Sequence, residues 1–335
     1  MKKIMNEPEQ FVAEVVEGIV LAYGDRLRTL DGDHRVLLRH PPARKGKVAI
    51  VTGGGSGHLP VFLGYVGQGM LDGCAIGNVF ASPSSQKMAD LIRACDLGAG
   101  VLCLYGNYGG DSLNFDMACE TADFDGIKTL TVRVCDDVAS APKGSEGKRR
   151  GVAGMVYAFK IAGAAAEAGS DLETVAAAAR KALANTRTLG VALSPCIVPQ
   201  VGKPTFSIQD DEIEIGMGIH GEPGIQVRPM MKADEIAALA LEKILDDMPL
   251  AAGDEVSVMV NGLGATPLEE LLITYRALHQ GLAARGVASC LPHVGEFATS
   301  MEMAGLSVTL IKLDAELKAL LRAPGSTPFY TNANK

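Results

Sequence analysis

Two histidines of this chain lie in glycine-rich segments, where imidazole chemistry and close approach of the backbone can be combined. His58 ends the segment Gly53–His58, directly after the apolar run Val48–Val51, and His220 lies within Gly216–Gly224. Glycine permits positive φ and lets a ligand lie against the main chain. Imidazole can act as base, acid or nucleophile near neutral pH, because its unperturbed pKa is about 6.5. Two such segments in one chain predict a shared site.

A third segment adds a carboxylate. Asn107–Phe115 follows the predicted strand Gly100–Tyr105, and Asp111 lies where a predicted helix begins. Ligands of parallel α/β sheets collect at the carboxyl ends of strands, so we expect Asp111 to lie near His58. An aspartate at this position can also cap its helix by accepting free backbone N–H groups. The spacing alone leaves capping and chemistry open.

Composition limits the classes of protein that fit. The chain has 335 residues, of which 47% are apolar and 21% charged, as expected for a globular protein of more than one domain. Its formal net charge of −8 argues against nucleic acid or an anionic membrane as the main partner. We find no apolar run of the roughly 18 residues that a membrane span needs, and no apolar region typical of a signal peptide.

The cysteines indicate a reducing compartment. There are seven, an odd number, and no C-x-x-C pair occurs. This pattern predicts reduced thiols, most simply small buried side chains, and a cytoplasmic protein.

The elements that must position these residues follow from periodicity. Apolar runs alternate with helical patterns, which predicts two α/β domains with mostly parallel or mixed sheets covered by helices. In chain order we predict helix Glu9–Ala22, a polar linker with His34 and His40, strand Lys47–Thr52, helical segments Leu59–Tyr65 and Ser84–Cys95, strand Gly100–Tyr105, helix Asp111–Ala122, strand Lys128–Val134, helices Val152–Ala168 and Leu172–Ala184, strands Leu189–Leu193 and Glu212–Ile215, helix Lys232–Leu245, strand Glu255–Val260, helix Thr266–Arg285 with Thr266 as N-cap and Pro267 in its first position, and strands near Ala288–Pro292 and Ser307–Ile311.

A change of pattern near residue 185 predicts the domain boundary. Residues 1–185 would carry the His58 and Asp111 segments, and residues 186–335 the His220 segment. Clefts between domains are preferred ligand sites, so the substrate is expected there. The polar segment Asp136–Arg150 is expected to be an exposed loop. Its run Lys148-Arg149-Arg150 is interpreted as solvated, with docking of a partner as the alternative.

The glycine-rich segments do not fit the common cofactor-binding motifs once the neighbouring residues are considered. Gly53–His58 lacks the Gly-Lys-Ser/Thr ending of a phosphate-binding loop. Residues 216–221 match G-x-G-x-x-G, but a dinucleotide site needs that motif to open a helix, and here Pro223 and Gly224 continue a loop. No zinc-type spacing of histidine or cysteine occurs, so we expect no metal on this chain.

These segments resemble the substrate-binding K subunit of dihydroxyacetone kinases. The resemblance rests on Gly53–His58, Asn107–Phe115 and Gly216–Gly224, and it continues in order along the chain. The further matching segments are Asn78–Pro83, Arg149–Ala153, Leu263–Leu268 and Thr299–Leu313.

The resemblance implies roles for individual residues. His220 would attack the ketone of the substrate and hold it as a covalent hemiaminal. Asp111 would orient or deprotonate the terminal hydroxyl that is phosphorylated, with His58 as its acid/base partner. The remaining substrate-binding positions would be Gly55, Ser56, Gly57, Gly106 and Asn107.

The resemblance also implies partners. In-line phosphoryl transfer needs clamped phosphates and Mg²⁺, for which we find no element here, and residues Thr327–Lys335 are expected to tail off. The chain itself would bind no cofactor. A separate L-type subunit would carry ATP or ADP with Mg²⁺, and the chain would form a homodimer. Whether the phosphoryl donor is ATP or a phosphotransferase-system protein stays open.

Three departures from the family pattern concern the substrate. Leu59 replaces an acidic residue, Gly106 replaces a lysine and Asn78 replaces a glutamate. Loss of the lysine would enlarge the pocket, which suits a larger ketose such as erythrulose or apulose as well as dihydroxyacetone.

Two alternatives remain. A catalytically silent paralogue that senses dihydroxyacetone and binds a transcription factor is expected to lose reactive histidines, whereas His58, Asp111 and His220 are all present here. An unrelated α/β oxidoreductase is disfavoured by the missing dinucleotide motif.

Overall fold

The computed structural model describes residues 2–333, and its N-terminal half is built on a six-stranded sheet. Strands β3, β4, β5 and β6 are parallel neighbours, and the antiparallel pair β1–β2 joins the sheet beside β4. The order across the sheet is β1-β2-β4-β3-β5-β6. The strands are β1 (Leu27–Leu30), β2 (Asp33–Arg39), β3 (Ala49–Ser56), β4 (Gly73–Val79), β5 (Val101–Gly106) and β6 (Thr129–Val134).

Helices cover both faces of this sheet. Alternate residues of a strand point to opposite faces, so Val101 and Cys103 pack towards one layer and Leu102 and Leu104 towards the other. Helices α2 (Ser85–Cys95) and α3 (Gly109–Phe124) form the first layer, and α1 (Phe11–Tyr23), α4 (Gly154–Glu167) and α5 (Leu172–Ala184) contribute to the second.

The second large sheet is mixed and mainly antiparallel. Strand β13 pairs with both β10 and β7, and β8 and β9 extend the sheet, whereas β11 and β12 run parallel to β10. Helices α6 (Ala233–Asp247) and α7 (Leu268–Ala283) pack on one face. The strands are β7 (Thr186–Ala192), β8 (Glu212–Ile215), β9 (Gln226–Pro229), β10 (Glu255–Gly262), β11 (Ala288–Ser289), β12 (His293–Gly295) and β13 (Gly305–Leu313). The predicted fold class, α/β with mostly parallel or mixed sheets covered by helices, is confirmed.

The strands of the two large sheets divide near residue 185, since β6 ends before that residue and β7 begins after it. The end of the chain nevertheless returns to the N-terminal sheet. Helix α8 (Ala315–Arg322) packs on α4, and the short pair β14 (Gly325–Ser326) and β15 (Thr331–Asn332) follows. The Thr327 hydroxyl is buried and donates to the Gly64 carbonyl at 2.8 Å. The expectation that residues 327–335 tail off is therefore wrong for 327–332, and residues 334 and 335 lie outside the described part.

Local predictions failed where polarity or glycine concealed a strand. The expected linker around His34 is strand β2, whose Leu37 and Leu38 are buried. Strand β4 was not predicted, because Gly73 and Gly77 dilute its apolar pattern. The segment Leu59–Tyr65 contains only a short 3₁₀ turn over its last three residues. Pro60 and Gly64 both disfavour a longer helix there.

Two further predictions are corrected by hydrogen bonds. The N-cap of α7 is Pro267, because the Thr266 hydroxyl instead donates to the Gly305 carbonyl at 2.6 Å. Arg149 is not solvated; it is 1% exposed and forms two hydrogen bonds with Asp247. A carboxylate distant in the sequence pairs with this cation, which a local charge run cannot reveal.

The cysteines are all free. Four of them are buried, as expected, and Cys119, Cys135 and Cys290 are partly exposed. No helix within residues 2–333 combines the length and the apolar character that crossing a bilayer requires.

Candidate functional site

His58 lies just beyond β3 and is fully buried. Its Nδ1 is 2.8 Å from the carbonyl oxygen of Thr299. A carbonyl oxygen can only accept, so Nδ1 carries the proton and Nε2 presents a lone pair. Burial, with the nearby His220 ring as a second cause, lowers the pKa of His58 to about 3. The ring is therefore neutral at physiological pH, and its buried Nε2 has no protein partner.

His220 is held by a carboxylate two residues later in the same loop. Oε1 of Glu222 lies 2.8 Å from the imidazole Nδ1, and Oε2 accepts from the His220 backbone N–H at 2.9 Å. Burial alone would raise the pKa of Glu222, but its hydrogen bonds to the side chain and backbone of His220 lower it to about 2. An ionised carboxylate only accepts, so His220 donates to it through Nδ1.

The structure brings the two histidine loops together. The ring centroids of His58 and His220 are 4.8 Å apart, with the rings nearly perpendicular. Phe80 stacks on His58 at 4.7 Å and meets the His220 ring edge-on at 5.4 Å. Tyr108 approaches His220 edge-on at 4.7 Å. Aromatic side chains thus surround the two imidazoles, which limits their access to water.

Asp111 lies in the first turn of α3 but does not cap it. The N-cap position belongs to Tyr108, and no side chain caps this helix end. The Asp111 carboxyl is 7% exposed, and its Oδ1 has no protein partner. Burial raises its pKa to about 6, although a hydrogen bond from Ser82 and the proximity of His220 act in the opposite direction. A buried carboxylate that is unused by its helix favours chemistry over capping.

Three buried polar atoms around His220 have no partner in the protein. They are Nε2 of His58, Oδ1 of Asp111 and the hydroxyl of Tyr108. Buried polar groups are nearly always hydrogen-bonded, so a cluster of unpaired ones indicates a polar ligand. Burial also raises the pKa of Tyr108 well above its ordinary value, which keeps its phenol protonated as a donor.

The glycine-rich turn before His58 acts through its backbone. The Ser56 hydroxyl donates to the Gly77 carbonyl at 2.9 Å, so it faces the sheet. A Cβ on Gly55 would lie 2.7 Å from the Ala81 nitrogen, and Gly57 has φ +97°. The backbone of this turn therefore packs more closely than side chains would permit.

Gly106 ends β5 and Asn107 follows it, and protein groups already occupy the space around both residues. The Asn107 amide donates to the carbonyls of Gly147 and Arg149, which holds the neighbouring loop. A Cβ on Gly106 would lie 3.1 Å from the Tyr108 ring and 3.2 Å from the Met155 sulfur. The space beside Gly106 is thus occupied by these two side chains, so its missing side chain does not enlarge the pocket there.

The other two departures point away from the site. Asn78 accepts a hydrogen bond from Arg35 on the surface. Leu59 lines an apolar cavity of about 210 Å³ together with Phe11 and Val15 of α1. Neither residue supports the larger-pocket argument.

Arg150 connects the two halves of the site. Its guanidinium pairs with Asp137 at 2.7 Å and donates to the Gly216 carbonyl at 2.8 Å. Its Nη1 also lies 3.5 Å from the Glu222 carbonyl. An arginine of the segment expected to be an exposed loop therefore holds the His220 loop in place.

Three residues around the two histidines were not predicted from the sequence: Tyr108, Glu222 and Phe80. The spacing His-x-Glu in a glycine-rich loop is a signal that could have identified Glu222, because that carboxylate can reach back to the imidazole. Phe80 and Tyr108 carry no such signal, since their contacts form only in the fold. Within residues 2–333, no group of three or more His, Cys, Asp or Glu residues is placed to hold a metal ion.

Comparison with known proteins identifies the family. The Dak1 domain matches residues 17–329. The chain belongs to the Dak1 family. It is 48% identical to the dihydroxyacetone-binding subunit DhaK of PTS-dependent dihydroxyacetone kinase 1 from Listeria innocua, over 94% of this chain and 95% of that subunit. It is 45% identical to L-erythrulose kinase from Pectobacterium atrosepticum, over 98% of this chain and 56% of the longer enzyme.

Solved structures give the same relationship. Dihydroxyacetone kinase from C. freundii, in complex with AMP-PNP and Mg²⁺, has a TM-score of 0.90 and 33% identity, over 99% of this chain and 61% of that one. The dihydroxyacetone kinase operon co-activator Dha-DhaQ has a TM-score of 0.87 and 32% identity, over 96% and 97% of the two chains. The family, the fold and a phosphotransferase activity on an alcohol group follow from these relatives, and the predictions of all three are confirmed.

Proposed function

We propose that this chain is the substrate-binding subunit of a ketose kinase and that it presents a terminal hydroxyl of the ketose for phosphorylation. The observation that carries the proposal is the proximity of two imidazoles and one buried carboxyl, with unpaired buried polar atoms on His58 and Asp111. The substrate class is dihydroxyacetone or a larger ketose such as erythrulose or apulose. A relative named for dihydroxyacetone and a relative named for erythrulose have similar sequence identity to this chain, 48% and 45%.

The first step is covalent binding at His220. The Nε2 lone pair attacks the ketone carbon, a nitrogen–carbon bond forms, and the carbonyl π pair moves to oxygen, which takes a proton from solvent. The Nδ1 proton remains shared with ionised Glu222, which stabilises the positive charge of the ring. A polyol without a carbonyl cannot react in this way, so the step selects ketoses against glycerol.

Asp111 and His58 act on the hydroxyl groups of the bound ketose. Above a pH of about 6 Asp111 is ionised and can accept the proton of the terminal hydroxyl as that oxygen becomes a nucleophile. His58 is neutral and offers its Nε2 lone pair as a second acceptor or base.

Phosphoryl transfer requires a partner. We place ATP or ADP with Mg²⁺ on a separate L-type subunit, since the related chain from Listeria innocua is named as one subunit of a kinase. A homodimer and a cytoplasmic location complete the proposal; the free state of all seven cysteines supports a reducing compartment. The phosphoryl donor of the complete kinase is ATP or a phosphotransferase-system protein. Identifying the partner subunit would decide between the two.

The test separates binding from chemistry. Asp111→Asn should leave covalent binding of the ketose largely intact while phosphorylation, measured with the L-type partner and nucleotide, falls on the order of 10²–10⁴-fold. A loss below about fivefold would return Asp111 to a purely structural role. Dihydroxyacetone and erythrulose should be compared in the same assay to assign the substrate.

The similarity to the co-activator Dha-DhaQ supports a sensing protein as the second candidate. The same assay decides between them, because a sensor would bind the ketose without turnover in the presence of any L-type partner.

A further inference from the structure

The carboxylate of Glu222 is bonded to two donors of the same residue. The Nδ1–H and the backbone N–H of His220 each occupy one of its oxygens, at 2.8 and 2.9 Å. A Cβ on Gly218 would lie only 2.1 Å from Oε2, so the loop closes tightly around this carboxylate. The arrangement fixes both the orientation of the ring and the nitrogen that carries its proton.

We propose that Glu222 is the positioning residue that makes His220 a nucleophile, by holding its proton on Nδ1 and leaving Nε2 unprotonated. Glu222 itself does not contact the ketose. When the nitrogen–carbon bond forms, the ring becomes cationic and the ionised carboxylate stabilises it through the bond that it already makes. This inference rests on the proposed covalent role of His220.

The substitution Glu222→Gln tests the role because the amide has a different donor pattern. The backbone N–H of His220 is an obligatory donor and takes the amide oxygen. The amide NH₂ then faces Nδ1, which must become an acceptor, so the ring proton moves to Nε2. The nucleophilic lone pair is lost although the side chain keeps its shape.

We expect Glu222→Gln to slow formation of the ketose adduct on the order of 10²–10⁴-fold. The rate is measured by intact-protein mass spectrometry of samples taken over time. Glu222→Asp keeps two acceptor oxygens and should recover part of the rate. NMR of protein with ¹⁵N-labelled histidine, assigned with His220→Ala, should show unprotonated Nε2 in the wild type and protonated Nε2 in Glu222→Gln.

Glu214→Gln is the matched control. Glu214 accepts from the Gly224 backbone N–H in the same region and has no bond to His220, so its loss removes one charge without changing the tautomer. Its adduct rate should remain within about threefold of the wild type, inside the range of an ordinary surface charge change.

The outcomes distinguish this inference from the proposed function. Absence of any adduct in the wild type overturns the covalent role of His220. A wild-type adduct together with an unchanged rate and tautomer in Glu222→Gln overturns only the role of Glu222.

Two cysteines lie close together in β5 and α3, the two elements on either side of the segment that carries Tyr108. Cys103 of β5 and Cys119 of α3 have their sulfurs 3.7 Å apart, and Cys119 is partly exposed. The hydrogen bond with Cys103 lowers the pKa of Cys119 despite its burial, which favours the reactive thiolate. The segment between them contains Tyr108 and Asp111.

The geometry points to a reversible disulfide between Cys103 and Cys119 when a hydroperoxide supplies the oxidising equivalents. The Cys119 thiolate attacks the peroxide, gives a sulfenic acid and releases water or an alcohol; the Cys103 thiol then attacks that sulfur and releases water. The sulfurs must close to about 2.05 Å, which draws α3 towards β5 and moves the first turn that carries Asp111.

Hydrogen peroxide treatment followed by peptide mass mapping should show a Cys103–Cys119 linked pair that dithiothreitol reverses. The phosphorylation rate should fall at least about threefold in the oxidised wild type, because even a small displacement of a catalytic group slows the reaction. Cys119→Ser should keep its activity under peroxide, and Cys135→Ser should behave like the wild type. Linked peptides that exclude Cys103, or inhibition that persists in Cys119→Ser, would overturn the inference.

Discussion

Burial gives Asp111 the ionisation expected of a base that works near neutral pH. Its pKa is raised to about 6, so the carboxyl is neutral below that pH and ionised above it. The pKa of His58 is lowered to about 3, so this ring stays neutral throughout the same range. Asp111 therefore changes its protonation state near neutral pH, whereas His58 does not.

We predict that kcat/KM for ketose phosphorylation rises with pH through about 6 and reaches a plateau above it, since only ionised Asp111 accepts the proton. The measurement is a pH–rate profile of the complete kinase between pH 5 and 8. Asp111→Asn should abolish this step in its residual activity. A profile with the same step in Asp111→Asn would assign the titration to another group.

At this scale the sequence allowed candidate residues to be chosen, but it did not allow the side chains around them to be predicted. His58, Asp111 and His220 stand in motifs that can be found by inspection. The walls made by Phe80 and Tyr108 depend on packing between distant segments, so no local pattern announces them.

The loop that carries His220 closes around Glu222 at Gly218. An added Cβ at Gly218 would collide with Oε2 of Glu222 at 2.1 Å and with the Arg150 guanidinium at 2.6 Å. We predict that Gly218→Ala displaces Glu222 and slows adduct formation at least about tenfold, as misplacement of a reactive group by about 1 Å does. Gly147→Ala is the control, because no atom lies within 4 Å of its added Cβ. Equal adduct rates in the two variants would contradict this role.

The segment before α4 is tied to α6 by a buried ion pair. Arg149 is 1% exposed and forms two hydrogen bonds with Asp247, which also pairs with Arg187. We predict that Asp247→Ala lowers the free energy of unfolding by about 3–5 kcal/mol, because it leaves a buried guanidinium without a carboxylate to balance its charge. Urea denaturation measures this value. Asp246→Ala, in the same helix, should change it by less than about 0.5 kcal/mol, and a similar small change in Asp247→Ala would refute the argument.

Periodicity predicted most helices and buried strands, because the apolar residues of α2, α5 or β5 fall on regular faces. It failed for β2 and β4, where polar side chains and glycines interrupt the pattern. It also assigned Arg149 to solvent, since the carboxylate that pairs with it lies in a distant helix.

The whole molecule brings together residues that are far apart in the sequence. His58 follows a strand of the first sheet and His220 follows a strand of the second, yet their rings meet. The Thr299 carbonyl, supplied by the loop before β13, sets the tautomer of His58. The strands divide between the two large sheets near residue 185, while α8 and the residues after it return to the first half. Separate folding of the two parts stays a prediction.

The central claim is that His220 holds the ketose covalently. Intact-protein mass spectrometry of the wild type mixed with dihydroxyacetone or erythrulose should show a mass increase equal to that of one ketose, and none with glycerol. Peptide mapping or crystallography of the complex should place the new bond on Nε2 of His220, and His220→Ala should show no increase under the same conditions. An adduct that survives in His220→Ala, or that lies on His58, would contradict the account.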